Sequence, residues 1–226
     1  TLAGLERNLT GGEMLAQVQH AQQKLPEGQR ASSVVIMGGG EPLANLDEVL
    51  RFMRLCHEPS ILDMGYRSFT VSTCGLVPGI RRLQESGLPV TLSISLHAPN
   101  DEIRSRLMPI NRKYPMAELM GAAYEYALVT KRRVTYEYAM IHNVNDSPEH
   151  ARELANLLRG KLAAVNLIPL NAVPESGLER STPERIERFE EMLKVRRITV
   201  TVRREMGADI DAACGQLRNS HQKGGF

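Results

Sequence analysis

The sequence predicts an α/β fold built on a parallel sheet, with function gathered at the C-terminal ends of the strands. Three observations carry that expectation. Short apolar, β-rich runs alternate with amphipathic segments along the chain. The strand–helix units recur at roughly 20–45 residues, the spacing of helical crossovers between parallel strands. The core is drawn from Val, Ile, Leu, Met and Ala, with aromatics only 4% of the chain and no Trp. That composition is common where helices bury both faces of a sheet.

The elements follow in order. Thr10 and Glu13 have capping-box spacing before Met14, Leu15 and Val18, which predicts a helix. Ser33 to Met37 is a short β-rich run ending in three glycines, a buried strand and its turn. Asn45 is placed to cap a helix with Asp47 and Glu48 in its first turn and Val49, Leu50, Phe52 and Met53 behind them. Phe69 to Val71 reads as a strand, Val77 to Leu83 as a short helix, and Val90 to Ile94 as a strand. Ala117 to Leu128 is a helix, and Val134 to Tyr138 alternates apolar and polar residues as a strand does. Ser147-Pro148 opens a helix with a cap and a proline at its first position. Ala164 to Ile168 is a strand. Ser181, Thr182 and Pro183 introduce a helix with Ile186, Phe189 and Leu193 on one face. Ile198 to Val202 is the last strand.

Such a series fits either a doubly wound sheet or a (β/α) barrel, and both place function at the C-terminal strand ends. At 226 residues the chain is about one large domain. No repeat, linker or low-complexity tract divides it, and residues 219–226 form a polar, Gly-rich tail expected to fray. A net charge of +2 leaves the partners open. Cys56, Cys74 and Cys214 are odd in number and widely spaced, so neither a disulfide framework nor a zinc motif is legible, and a reducing cytoplasm is the expected home. No run approaches the ~18 apolar residues of a membrane span, and no secretory signal opens the chain.

The unusual residues gather where the fold predicts chemistry. The first strand runs into Gly38-Gly39-Gly40-Glu41-Pro42. A phosphate loop needs a following Lys and Ser/Thr, which are missing, and Glu41 repels phosphate. A carboxylate beside free strand-end carbonyls suits a cation such as an amino acid's ammonium group. The plainer reading is a strand-to-helix turn with a solvated Glu. Later strands end in Ser72-Thr73-Cys74-Gly75, Ser95-Leu96-His97-Ala98 and Pro169-Leu170-Asn171. Together they offer hydroxyls, an imidazole and an amide, a set suited to a ligand with ribose and amino-acid parts. Singly, Ser72 and Ser95 can satisfy a local backbone group, His97 can be structural, and Asn171 can start a turn. Cys214 follows the last strand among Asp209, Asp211, Gly215 and Gln216. A free Cys is usually a small buried hydrophobe, but these neighbours suit an exposed thiolate. Cys56 and Cys74 read as core or lining.

These segments also form an ordered series: R-N-L-T-x-G-E from Arg7, M-G-G-G-E-P-L-x-N from Met37, V-S-T-C-G-L-V-P from Val71, I-S-L-H-A-P-N-D-E-x-R from Ile94, M-P-I-N-R-K-Y from Met108, N-L-I-P-L-N from Asn166 and D-I-D-A-A-C-G-Q-L from Asp209. From Arg7 to Leu217 the series resembles the RlmN/Cfr family of radical-SAM RNA adenine-C2 methyltransferases. The resemblance implies a partial (β/α) TIM-like barrel over residues 1–218. It places Gly40, Glu41, Ser72, Ser95, Leu96, His97 and Asn171 at the S-adenosyl-L-methionine site and makes Cys214 the cysteine that is itself methylated. It implies a methyl transfer through that cysteine and a radical to C2 of an adenosine in 23S rRNA, with tRNA as a further substrate. It also implies a 4Fe-4S cluster, an electron donor such as flavodoxin or ferredoxin, and a cytoplasmic monomer.

One departure is large. The cluster needs the three thiolates of C-x-x-x-C-x-x-C, and no such motif is present. In the family it lies just before the R-N-L-T segment, with the first barrel strand, an accessory domain and a second catalytic cysteine also upstream. The chain starts at Thr1 without an initiator Met, so the expectation is a truncated fragment, inactive alone. Two alternatives stand beside the C2 reading: a C8-directed Cfr-type enzyme, and a non-catalytic RNA-binding barrel.

RNA contact requires cations for phosphates. The candidates are Arg104/Arg106/Arg112/Lys113, Lys131/Arg132/Arg133, Arg196/Arg197 and Arg203/Arg204. A solvated face is the preferred reading for the Lys131 and Arg196 groups. Arg203 and Arg204, near the strand end leading to Cys214, are better placed. Scarce aromatics argue against a stacking platform; the target adenosine is expected to swing into the barrel mouth.

Overall fold

The computed structural model describes residues 6–37, 40–171 and 177–203. Cys214 and its polar neighbours, Arg204 and the 219–226 tail lie outside the described residues.

Helices and strands alternate in the order α1 (Gly11–Gln23), β1 (Val34–Ile36), α2 (Leu46–His57), β2 (Phe69–Thr73), α3 (Val77–Glu85), β3 (Thr91–Ser95), α4 (Asp101–Leu107), α5 (Met116–Thr130), β4 (Val134–Met140), α6 (Pro148–Leu158), β5 (Ala163–Pro169), α7 (Pro183–Val195) and β6 (Thr199–Val202). The six strands pair in sequence order, β1 to β6, and every pairing is parallel. Parallel crossovers are right-handed. In a sheet whose order never reverses, each crossover therefore lays its helix on the same face. That is the wall of a barrel and not a doubly wound sheet, which needs a reversal in strand order.

One consequence corrects the expectation of a sheet buried on both faces. Along β2 and β4 buried and half-buried residues alternate strictly. Phe69, Val71, Tyr136 and Tyr138 join Leu92, Ile94, Val165 and Leu167 in a single core with the helices. The opposite phase carries Ser72, Thr135 and Glu137, half-buried on a concave face. The aliphatic core thus belongs to the helix side alone. Of its few aromatics, Phe52 packs edge to face on Phe69 with ring centroids 5.9 Å apart, and Tyr138 lies tilted on Phe189 at 5.4 Å.

Local signals explain most boundaries. Thr10 and Glu13 form the expected capping box. Ser147 caps α6, with His150 closing the box, and Thr182 caps α7. Asn45 behaves differently. A 3-10 turn, Pro42–Asn45, precedes α2, and Asn45 makes no side-chain cap. Its amide instead donates to the Leu9 carbonyl at 2.8 Å, tying the segment before α1 to α2. Sequence reasoning also names no helix at α4. With seven residues and few apolar ones it shows no periodicity, and it stands on the Asn100 cap, whose Oδ1 accepts from Ile103 N at 3.0 Å. Gly79 on α3 lets the 3-10 turn approach: a Cβ there would lie 2.6 Å from Leu43 Cβ.

Candidate functional site

The C-terminal ends of β1, β2 and β3 are stitched together through backbone groups. After β1, Gly40 is exposed in a bend and Glu41 is half-buried. Glu41 Oε1 accepts from Leu43 N at 3.0 Å and Oε2 accepts from Cys74 N at 2.8 Å. The carboxylate therefore caps the 3-10 turn and clamps the end of β1 to the end of β2. Each oxygen keeps further acceptor capacity at the mouth.

Arg104 completes the clamp from below, and its place corrects its grouping with the RNA-contacting cations. It is fully buried, at 0% exposure. Nη2 donates to the carbonyls of Cys74 at 2.7 Å and Ser95 at 3.3 Å, and Nη1 donates to Asn111 Oδ1 at 3.0 Å. One guanidinium thus joins the ends of β2 and β3. Burial lowers its pKa. Gly75, at φ +104, makes room: a Cβ there would lie 3.0 Å from Arg104 Nη2. Cys74 is half-buried in this clamp. Burial first, then the hydrogen bond to Glu41, pushes its thiol up to about 12, so Cys74 stays protonated and serves as lining. Cys56 is buried in the core on α2.

His97 is the most constrained side chain at the mouth. Its backbone is left-handed, at φ +56, an uncommon conformation for a residue with a Cβ. Several bonds hold it there. Its N–H and that of Leu96 donate to the Glu137 carbonyl, its own carbonyl accepts from Asn145 Nδ2 at 2.8 Å, and its Nδ1 accepts from Ala139 N at 3.0 Å. An Nδ1 that accepts leaves the ring proton on Nε2. Burial, then the nearby Arg104, lowers the pKa to about 4. His97 is thus a neutral ring that presents a fixed N–H donor. Buried Asn145 also binds the Ala139 carbonyl and accepts from Ile141 N, so the loop after β4 is what holds His97.

The other expected residues separate. Ser72 and Ser95 lie on the concave phase of β2 and β3. Leu96 is fully buried, so it reaches the mouth through its backbone only. Asn171 is exposed just beyond β5.

Sequence reasoning gave no role to a polar row across the concave face. Glu137 pairs in register with Ser95 on one side and Asn166 on the other, and Asn166 pairs with Thr201. Glu137 Oε1 accepts from Ser93 Oγ at 2.9 Å and Oε2 accepts from Asn166 Nδ2 at 2.8 Å, while Thr201 Oγ1 donates to Asn166 Oδ1 at 3.3 Å. The period-two pattern of β4 placed Glu137 among the polar positions, which was its only signal. Among the described residues, no group of three or more His, Cys, Asp or Glu could hold a metal ion, and no helix is long and apolar enough to cross a membrane.

The chain is similar to known proteins. The family model for the Radical SAM superfamily matches residues 9–157. A probable dual-specificity RNA methyltransferase RlmN of Symbiobacterium thermophilum is 58% identical over 224 residues, which are 99% of this chain and 60% of the relative. A probable RlmN of Desulforamulus reducens is 50% identical over 98% of this chain and 63% of its own length. The chain thus spans about three fifths of the curated relatives it matches. A crystal structure of a radical SAM methyltransferase from Sphaerobacter thermophilus superposes with a TM-score of 0.91 at 51% identity, over 95% of this chain and 63% of that one. Streptococcus suis SuiB bound to S-adenosylmethionine shares the fold alone, with a TM-score of 0.64 at 14% identity over 93% of this chain and 47% of that one.

Proposed function

This chain belongs to the radical SAM superfamily, and from that premise we propose that it is the catalytic barrel of an RNA methyltransferase. The reaction is transfer of a methyl group from S-adenosyl-L-methionine, by way of Cys214, to C2 of an adenosine in 23S rRNA, with tRNA as a second substrate. The observation that carries the reading is the gathering of Glu41, Ser72, Ser95 and His97 at one strand-end mouth, with His97 fixed as a neutral donor. The names of the relatives support the same activity.

The mouth fits S-adenosyl-L-methionine. The Glu41 carboxylate suits its ammonium group, and the Ser72 and Ser95 hydroxyls suit its ribose. His97 Nε2–H suits a ligand acceptor atom, and Asn171 follows β5 at the same end. The bound cofactor supplies the methyl group; the chain's own residues bind and orient it, a positional contribution. The described residues do not fit the 4Fe-4S cluster that the superfamily implies. Their cysteines are Cys56, sealed in the core, and Cys74, held as a thiol.

The test uses the intact protein with its cluster loaded. Cys214→Ala abolishes transfer and leaves S-adenosyl-L-methionine binding unchanged, and mass spectrometry of the wild-type C-terminal peptide finds a methyl on Cys214. Digestion of the RNA to nucleosides identifies the product. C2-methyladenosine supports the proposal, C8-methyladenosine moves it to the Cfr-type activity, and RNA binding without either product leaves a non-catalytic barrel. If no methyl ever appears on Cys214 during turnover, the role given to that residue is wrong.

A further inference from the structure

At the opposite end of the strands, Lys131, Arg132 and Arg133 follow one another between α5 and β4. The sequence favours a solvated face for them. In the structure they join Thr91, Thr135 and Leu162 around a cleft of about 410 Å³. None of the lining residues is acidic. Among the described residues no ion pair engages any of the three cations.

The donors in this cleft are only partly used. Arg132 is half-buried, and its Nη2 donates to Thr91 Oγ1 at 2.8 Å. Its Nε is buried and has no acceptor. Three cations that no ion pair engages among the described residues, together with the Thr135 hydroxyl, call for a ligand with several acceptor oxygens and negative charge, which describes a phosphate group.

The position narrows the source. Thr91 and Thr135 share the concave phase with Ser93, Ser95 and Glu137. Four residues of β3 separate Thr91 from Ser95, which at ~3.3 Å per residue is about 13 Å. A few nucleotides cover that distance from the mouth. Glu137, two residues along from Thr135, is the one carboxylate facing that path from β4, and Ser93 and Asn166 each donate to one of its oxygens.

We infer that this cleft is a phosphate-binding site which holds the backbone of the substrate RNA while the target adenosine occupies the mouth. The inference rests on the RNA reading above and adds an anchor at the far end of the strands. It is tested on the intact protein with a labelled RNA stem-loop carrying the target adenosine, titrated across salt concentrations, and with inorganic phosphate followed through the amide resonances of Lys131 to Arg133. In Lys131→Gln/Arg133→Gln the affinity falls severalfold at ~0.1 M salt, and the slope of log affinity against log salt becomes shallower by about one for each phosphate that is no longer neutralised. An unchanged slope together with phosphate-induced shifts at Lys131 to Arg133 keeps the site but assigns it to free phosphate. An unchanged slope without such shifts overturns the inference. If the wild-type protein binds no RNA at all, the proposed function fails, and the phosphate titration alone decides the cleft.

Discussion

The two ends of the strands hold similar cations in opposite ways. At the mouth, Arg104 is sealed at 0% exposure and its two Nη groups answer three acceptors on different segments. At the base, Arg132 is half-buried and answers one hydroxyl. Both leave Nε without an acceptor. Closed in on all sides, the Arg104 N–H can be reached by no ligand; it is the local cost of a guanidinium placed to hold two strand ends. The Arg132 side chain lines an open cleft. The two ends therefore differ in what surrounds the cation, a sealed clamp at the mouth and a cation-lined cleft at the base. Removing each cation should separate the two roles: stability changes at the mouth, and binding changes at the base.

The largest effect is expected at Arg104. Arg104→Met keeps much of the side-chain volume but strips donors from the Cys74 and Ser95 carbonyls and from Asn111 Oδ1. Orphaning buried acceptors costs ~1–3 kcal/mol each. Removing a desolvated charge offsets part of that. The net loss should be on the order of 3 kcal/mol in urea unfolding, with Arg104→Lys recovering little because one ammonium cannot span the fork. A loss under ~0.5 kcal/mol would mean that the mouth holds its shape without this clamp.

His97 is the next most sensitive point of the mouth, and it responds to pH. Its folded pKa of about 4 lies below the usual value of 6.5. The unfolded chain then takes up the proton first, so the His97 contribution is whole above about pH 6.5 and is lost as pH falls toward 4. Protonation also destroys the acceptor that Nδ1 offers to Ala139 N. The difference in urea midpoint between wild type and His97→Ala should shrink across that window. An imidazole signal of His97 that titrates near 6.5 would break the assignment of a fixed neutral donor.

The same contrast explains what the sequence disclosed. Local signals were legible: the Thr10–Glu13 and Ser147 caps, the proline openings, and the β-rich runs that became β1 to β6. The glycine and polar runs at the strand ends marked Glu41, Ser72, Ser95 and His97 because strand ends follow from element order. Tertiary facts were not legible. Arg104 sits in an Asp-Glu-x-Arg run that resembles a solvated helix face, and only its bond to Cys74, thirty positions away, shows it to be buried. Glu137 needed the knowledge of which face the helices cover, which depends on the unbroken order of the sheet. Arg132 needed the fold to bring Thr91 beside it. Cys214, Arg204 and the 219–226 tail lie outside the described residues, so the structure adds nothing to their sequence reading.

The smallest effect on stability is expected at the base. Lys131→Gln/Arg133→Gln removes two exposed charges that engage no carboxylate among the described residues. Surface substitutions of this kind usually fall within ±0.5 kcal/mol. The sign here is set by like-charge repulsion among three successive cations. The double variant should be slightly more stable than wild type at low salt, and the gain should fade as the salt rises past ~0.1 M, where the screening length is ~10 Å. Urea unfolding at two salt concentrations measures it. A destabilisation above ~1 kcal/mol would show that Lys131 and Arg133 hold the fold as Arg104 does, and the division between a structural mouth and a binding base would no longer stand.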